Sequence, residues 1–316
     1  MQNPILKKLI QQKMQPRMMP MGPNGPVGLP QGKSPLPNEQ VNHVMSFQQK
    51  IQEIQKNQKI PQKSNLKTIP IVIGMTTLPE RLRKLRTQQA LTSILQNSIL
   101  PEKIIISIPS KTLKGEEYPE DLFSHPVFKH PLVHIHRVEE DQGPVLKLNG
   151  LIDWLKKNPQ SAIHNFVLMD DDIIYSKDHL QHLWNLHLRF PNASLGYAGR
   201  SFDAKTQKLN FLILHQSKLS ILPVHIVETY HLTLHPLSHF LQDDWIPFVK
   251  ECHEKCPESV FTDDILISLY HKKNNIPRFI FKGPSVKVNH HGTVKLSDTN
   301  LIGRNLRVFQ QIWPSS

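Results

Sequence analysis

Apolar residues along this chain fall into two spacings, and the two alternate from about residue 68 onward. Ile69–Ile73 is a short β-branched run. Ile104–Ile108, Val133–Val138 and Phe166–Met169 are read as further strands. Between them Leu82, Leu85, Leu91, Ile94 and Leu95 recur at helical spacing. So do the apolar positions of Leu146–Leu155, and Leu180, Leu183, Trp184 and Leu188. Thr77 stands three residues before Glu80, with Pro79 in the first turn, which predicts a capping-box helix start; Ser176 is expected to cap the helix that stops at Pro191. Strands alternating with helices predict an α/β fold with an open, mostly parallel central sheet flanked by helices. Ligands of such sheets sit beyond the carboxyl ends of strands, where Thr76-Thr77 and an aspartate run both fall.

Beyond Leu195 the pattern is less regular. Gly196–Gly199 and Leu209–Leu214 read as strands around a turn at Asp203–Lys208. Phe240–Cys256 and Asp264–Lys273 read as helices, and Phe279–Phe281 and Val286–Val288 as short strands. No internal repeat is visible.

The aspartate run changes the picture from fold to chemistry. Asp170-Asp171-Asp172 follows the apolar strand directly, and three adjacent carboxylates repel one another unless something positive joins them. A divalent cation is the simplest such partner. In an extended segment Asp170 and Asp172 would share one side and Asp171 would face the other. Two hard oxygen donors on one side suit Mg²⁺ or Mn²⁺ with positions left open for phosphate oxygens.

Charge separates the chain into two parts. The 316 residues carry a formal net charge of +12, of which residues 1–68 hold +8, from ten Lys or Arg and two Glu. That segment is rich in Gln, Pro, Lys and Met, a composition that cannot bury enough surface to order itself. It is read as a disordered basic tail, with a short helix expected in Val44–Gln58 and an acidic partner or anionic membrane surface as its partner class. The mildly basic remainder, 69–316, requires no nucleic-acid surface. No run of about 18 apolar residues occurs, so no spanning helix is expected, and the first residues do not read as a secretory signal. Cys252 and Cys256 are the only cysteines, too few for a disulfide framework. They are expected to be reduced, in a cytoplasmic protein that is at most peripheral to a membrane.

The order of the motifs carries a resemblance. A strand ends in Thr76-Thr77; two strands later come Glu140-Asp141-Gln142-Gly143-Pro144 and Lys147; the apolar strand ends in Asp170–Asp172; Phe261-Thr262-Asp263-Asp264-Ile265 and then His290-His291 follow. In this order, from about Ile69 to Arg307, the chain resembles the nucleotide-sugar-dependent glycosyltransferases of the GT-A fold, in particular family-2-like enzymes. The resemblance implies an inverting, metal-dependent transfer of a sugar from a UDP- or GDP-sugar to a hydroxyl of a glycan, protein or lipid. It implies that Asp170 and Asp172 hold Mn²⁺ or Mg²⁺ and the donor diphosphate, with His291 or His290 completing the metal shell. Thr76, Thr77, Arg81 and Asp171 would face the nucleotide, Asp141 and Lys147 the base and ribose. Asp264, or Asp263, would take the acceptor proton. One departure is plain: Glu228–Leu234, where relatives carry a glycine-rich acceptor segment, has no glycine.

Other readings stand beside this one. The aspartates could serve a metal-dependent phosphoesterase or nuclease, or the chain could be a non-catalytic adaptor working through its tail. Asp263-Asp264 could simply favour the positive end of a helix dipole. Asp243-Asp244 is read as a solvated helix start, Trp245 as a packing residue, and the scattered histidines as structural. His182 and His187 are five apart and would not share a helix face well.

Overall fold

The computed structural model describes residues 68–159, 163–214, 220–284, 286–288 and 299–313. The tail, its expected helix and the His290-His291 pair lie outside the described residues.

The described chain runs β1 (Thr68–Thr76), α1 (Pro79–Arg83), α2 (Arg86–Leu95), β2 (Leu100–Pro109), β3 (Val133–Val138), α3 (Leu146–Lys157), β4 (Asn165–Leu168), β5 (Ile173–Tyr175), α4 (His179–Arg189), β6 (Ser194–Gly196), β7 (Ala198–Asp203), β8 (Lys208–Ile213), β9 (Ile221–Pro223), β10 (Ile226–Glu228), β11 (Thr233–Pro236), α5 (Trp245–Lys255), α6 (Asp263–Lys273), β12 (Arg278–Phe281), β13 (Val286–Val288) and α7 (Thr299–Ile312). Eight strands form the central sheet in the order β3-β2-β1-β4-β11-β6-β12-β9. β1 pairs parallel with β2 and β4, β2 with β3, and β12 with β6, whereas β11 and β9 run antiparallel to their neighbours. The fold is therefore mixed α/β with a large, mostly parallel sheet flanked by helices. The chain moves outward from β1 through β2 and β3, then returns to place β4 on the other side of β1. That reversal opens a crevice beyond the carboxyl ends of β1 and β4.

Helix α3 packs on β1 and β2, and two glycines let it lie close to the sheet. A Cβ on Gly74 in β1 would stand 2.5 Å from the carbonyl oxygen of Lys147, and one on Gly150 in α3 would stand 2.2 Å from Ser107 Oγ in β2. Leu148, Leu151, Ile152 and Leu155 of α3 are buried with Val72, Ile105, Phe166, Leu266 and Tyr270. Each such side chain contributes about 1.5–3 kcal/mol by burial, so α3 is fixed on the sheet, and with it Lys147.

Several expectations are corrected. Thr77 does not cap α1: Leu78 holds the N-cap position without a side-chain cap bond, and the Thr77 hydroxyl meets that of Thr87 at 2.6 Å. The expected single helix over Leu82–Leu95 is two, parted at Leu85, which adopts left-handed backbone at φ 56°. Ser176 contributes only its carbonyl, accepting from His179 N at 3.0 Å, and α4 starts after Asp178. Helix α5 begins at Trp245 rather than Phe240. Strands β9, β10 and β11 and helix α7 have no counterpart among the elements expected from sequence. Trp245 is fully buried and donates from Nε1 to Asn149 Oδ1 at 2.7 Å, so it packs. Cys252 and Cys256 are buried free thiols. Among the described residues no helix is long and apolar enough to cross a membrane.

Candidate functional site

The three aspartates do not continue β4. The strand ends at Leu168 and the chain turns at Asp171 and Asp172, then re-forms as β5, which pairs with β13. Strand alternation therefore does not apply here, and the expected division of the triplet is overturned. Asp171 and Asp172 meet the same guanidinium: Arg81 Nη1 pairs with Asp171, and Arg81 Nη2 lies 3.3 Å from Asp172 Oδ2. Asp170 is bonded instead to Lys147, with Arg81 still near enough to lower its pKa. The turn is held by Tyr175, whose hydroxyl accepts from Asp170 N at 3.2 Å and donates to the Asp170 carbonyl at 3.3 Å.

Lys147 is the hub. Its ammonium is buried and lies 2.7 Å from Asp170 Oδ1, 2.9 Å from Asp263 Oδ2 and 3.1 Å from Thr229 Oγ1. Burial alone would lower its pKa, but Asp170, Asp263 and Asp264 together outweigh that and raise it, so it stays charged. Asp170 shows the converse: burial pushes its pKa up, and Lys147, with Arg81 and Thr229, more than reverses this, leaving an ionised carboxylate. Arg81 is raised chiefly by Asp171, against the cost of its own burial. One α3 side chain thus ties the end of β4 to the start of α6.

Asp264 behaves differently from its neighbours. Burial, then Asp263, then Glu228 push its pKa well above the ordinary carboxylate value, and Lys147 only partly offsets them. Its Oδ1 accepts from Thr229 N at 2.9 Å. Glu228 is also raised by burial, even though Arg200 is paired with it. The result is a contrast within one site: ionised Asp170 on the triplet side, and a carboxyl poised to hold a proton on the α6 side.

Of the remaining predicted residues, Thr76, Thr77 and Asp141 are described. Thr76 Oγ1 donates to the Ser107 carbonyl at 2.7 Å, which seals the end of β1 against β2. Tyr118 donates to the Thr77 carbonyl at 2.7 Å, and burial, then Asp141 and Asp171, raise its pKa. Asp141 itself accepts from Leu113 N and Gly143 N, each at 2.8 Å, which fixes the two loops it joins; burial pushes its pKa up. Arg81, Lys147, Asp170, Asp171, Asp172, Asp263 and Asp264 are therefore brought together, with Thr76, Thr77 and Asp141 around their edge. Thr229, Glu228, Arg200, Tyr118 and Tyr175 belong to the site and were not singled out for it from sequence. Thr229 sits in the stretch flagged only for lacking glycine. Its backbone N–H serves Asp264 and its hydroxyl Lys147, contacts that no local spacing announces.

Among the described residues no group of three or more His, Cys, Asp or Glu side chains converges to hold a metal ion. The donor chemistry nevertheless fits a hard cation bound by few protein ligands. The residues named here set six carboxyls (Asp170, Asp171, Asp172, Asp263, Asp264, Glu228) against Arg81, Lys147 and Arg200. The Asp170 side chain remains 25% exposed. Magnesium-type ions are commonly held by one or two carboxylates, water and substrate phosphates.

No protein-family model matches the chain, and no curated protein matches it in sequence.

Proposed function

We propose that this protein is a GT-A-like glycosyltransferase that moves a sugar from a nucleotide diphosphate to an acceptor hydroxyl. The observation that supports this most is Lys147, whose buried ammonium joins Asp170 to Asp263 beside Asp264, a carboxyl of raised pKa, all beyond the carboxyl ends of β1 and β4. A divalent ion, Mn²⁺ or Mg²⁺, would be held by Asp170 and Asp172, and when bound supplies Lewis-acid stabilisation of charge on the leaving diphosphate.

The chain's own residues account for the rest. Arg81 and Lys147 are fixed cations at the crevice and favour a pyrophosphate entering it. Asp264 takes the acceptor's hydroxyl proton as the acceptor oxygen bonds to the anomeric carbon. The bond from that carbon to the diphosphate oxygen breaks, and its electron pair leaves with the diphosphate. A raised pKa suits this role, because a base works best when its pKa lies near the operating pH. Thr229 N–H holds the Asp264 carboxyl in place.

Two variants test the assignment. Asp172→Ala is expected to abolish metal-dependent binding of UDP or GDP in calorimetry; unchanged binding would remove Asp172 from the donor site. Asp264→Asn is expected to bind the same nucleotide normally and to lose transfer by about 10²–10⁴-fold. Full transfer by that variant would move the base to Asp263 or elsewhere.

A further inference from the structure

The face of the β7–β8 hairpin is divided by what covers it. Leu209 of β8 and Ile226 of the neighbouring β10 are buried with Ile265, Val308 and Phe309 of α6 and α7. Phe211, in register with Arg200 and through it with Ile226, lies at the outer strand of the same sheet and is 47% exposed. Its ring is not a loose surface group. The Arg200 guanidinium carbon sits 5.4 Å from the ring centroid, and the guanidinium is itself held by Glu228. Glu228 precedes Thr229, whose N–H holds Asp264, and Val227 N donates to Ser268 Oγ on α6 at 3.1 Å. An exposed aromatic ring is thus fixed, through one ion pair and one strand, relative to the carboxyl proposed to receive the acceptor's proton.

We propose that Phe211 is a stacking platform for a carbohydrate acceptor, which takes the apolar face of a sugar unit beyond the one whose hydroxyl meets Asp264. The inference rests on the glycosyl-transfer reading and narrows its acceptor from glycan, protein or lipid to glycan. Three features favour this occupant. A single flat ring suits the flat apolar face of a pyranose, whereas a lipid chain needs a continuous apolar trough. The Arg200–Glu228 pair beside the ring offers polar edges to sugar hydroxyls. A ring already immobilised loses little freedom on binding. Phe211 also has continuity with the candidate site, through Arg200 and Glu228.

The test is a glycan array probed with the full-length protein as wild type, Phe211→Ala and Phe211→Trp. UDP and GDP binding with Mn²⁺ is measured on the same preparations. The wild type is expected to retain a subset of the arrayed oligosaccharides, Phe211→Trp to retain the same subset, and Phe211→Ala to lose affinity by about tenfold or more. Retention by Phe211→Ala equal to wild type overturns the platform, as does a wild type that binds no arrayed glycan. Selective capture of polyprenyl-phosphate vesicles or peptides in place of glycans overturns it as well. Loss of nucleotide binding in the wild type would instead defeat the glycosyl-transfer reading, so the two failures are told apart.

Discussion

In the proposed reaction Asp264 is the group that exchanges a proton and Lys147 the one that does not. Lys147 is buried among Asp170, Asp263 and Thr229, and its charge is what makes the burial of those acids tolerable. Lys147→Met is expected to destabilise the fold by about 3–5 kcal/mol, the usual cost of stripping one partner from a buried ion pair. Equilibrium urea unfolding would measure it. A stability unchanged from wild type would mean that Asp170 and Asp263 are solvated well enough to stand alone. In the double variant Lys147→Met with Asp263→Asn part of the loss should return, because one orphaned charge is removed with its partner. The aspartate triplet was legible at this scale as a place where negative charge collects. Its partners were not, because Arg81 lies 90 positions from Asp171 and Lys147 lies 23 from Asp170. The turn that gives Asp171 and Asp172 to one guanidinium replaced the strand alternation assumed for them.

Helix α3 and strand β1 carry the site, and their contact depends on a missing side chain. Gly74→Ala would place a Cβ 2.5 Å from the backbone oxygen of Lys147, an atom that cannot rotate away. The expected result is a loss of about 1–3 kcal/mol as α3 shifts, together with weaker nucleotide binding as Lys147 moves. Thermal unfolding and calorimetry on one sample would report both. An unperturbed protein would mean that α3 is free to slide on the sheet. The elements that sequence revealed are those whose residues are buried on both faces or along one stripe. β1, β2 and β4 are apolar runs, and α3 and α4 show helical spacing, so their patterns are local. β11 is hidden for the opposite reason. Its four residues, Thr233–Pro236, mix polar and apolar types and end in proline, and they form a strand because β4 and β6 supply partners on both sides. Thr77 failed as a cap because Thr87, brought near by the break at Leu85, took its hydroxyl.

Across the whole molecule, buried histidines set the response to acid. Burial pushes His187 and His253 down to about 4 and His235 to about 3, and His271 falls well below its ordinary value for the same reason. An unfolded histidine titrates near 6.5. Below that pH the unfolded chain gains protons that the folded chain refuses, so this stability is complete above about pH 6.5 and is lost as pH falls toward about 4. Asp264 and Glu228, with raised values, act in the opposite sense as pH rises, but they are outnumbered. Unfolding free energy is therefore expected to drop by about 1–3 kcal/mol between about pH 6.5 and pH 5, as read by urea midpoints. His187→Gln should flatten that slope. A flat profile in the wild type would show that these rings are solvated.

The alternation of strands and helices announced the α/β architecture, and the order of the acidic motifs pointed to one crevice within it. What the crevice binds is decided most directly by unfolding the wild-type protein in the presence of UDP, GDP and other nucleoside diphosphates, each with and without Mn²⁺. A ligand at a hundred times its dissociation constant stabilises by about 2.7 kcal/mol. For a domain of this size that is a rise in melting temperature of several degrees, visible only with metal and nucleotide together. No shift with any nucleoside diphosphate, or one indifferent to the metal, would contradict a site built by Asp170, Asp172, Arg81 and Lys147 for a cation-bound pyrophosphate.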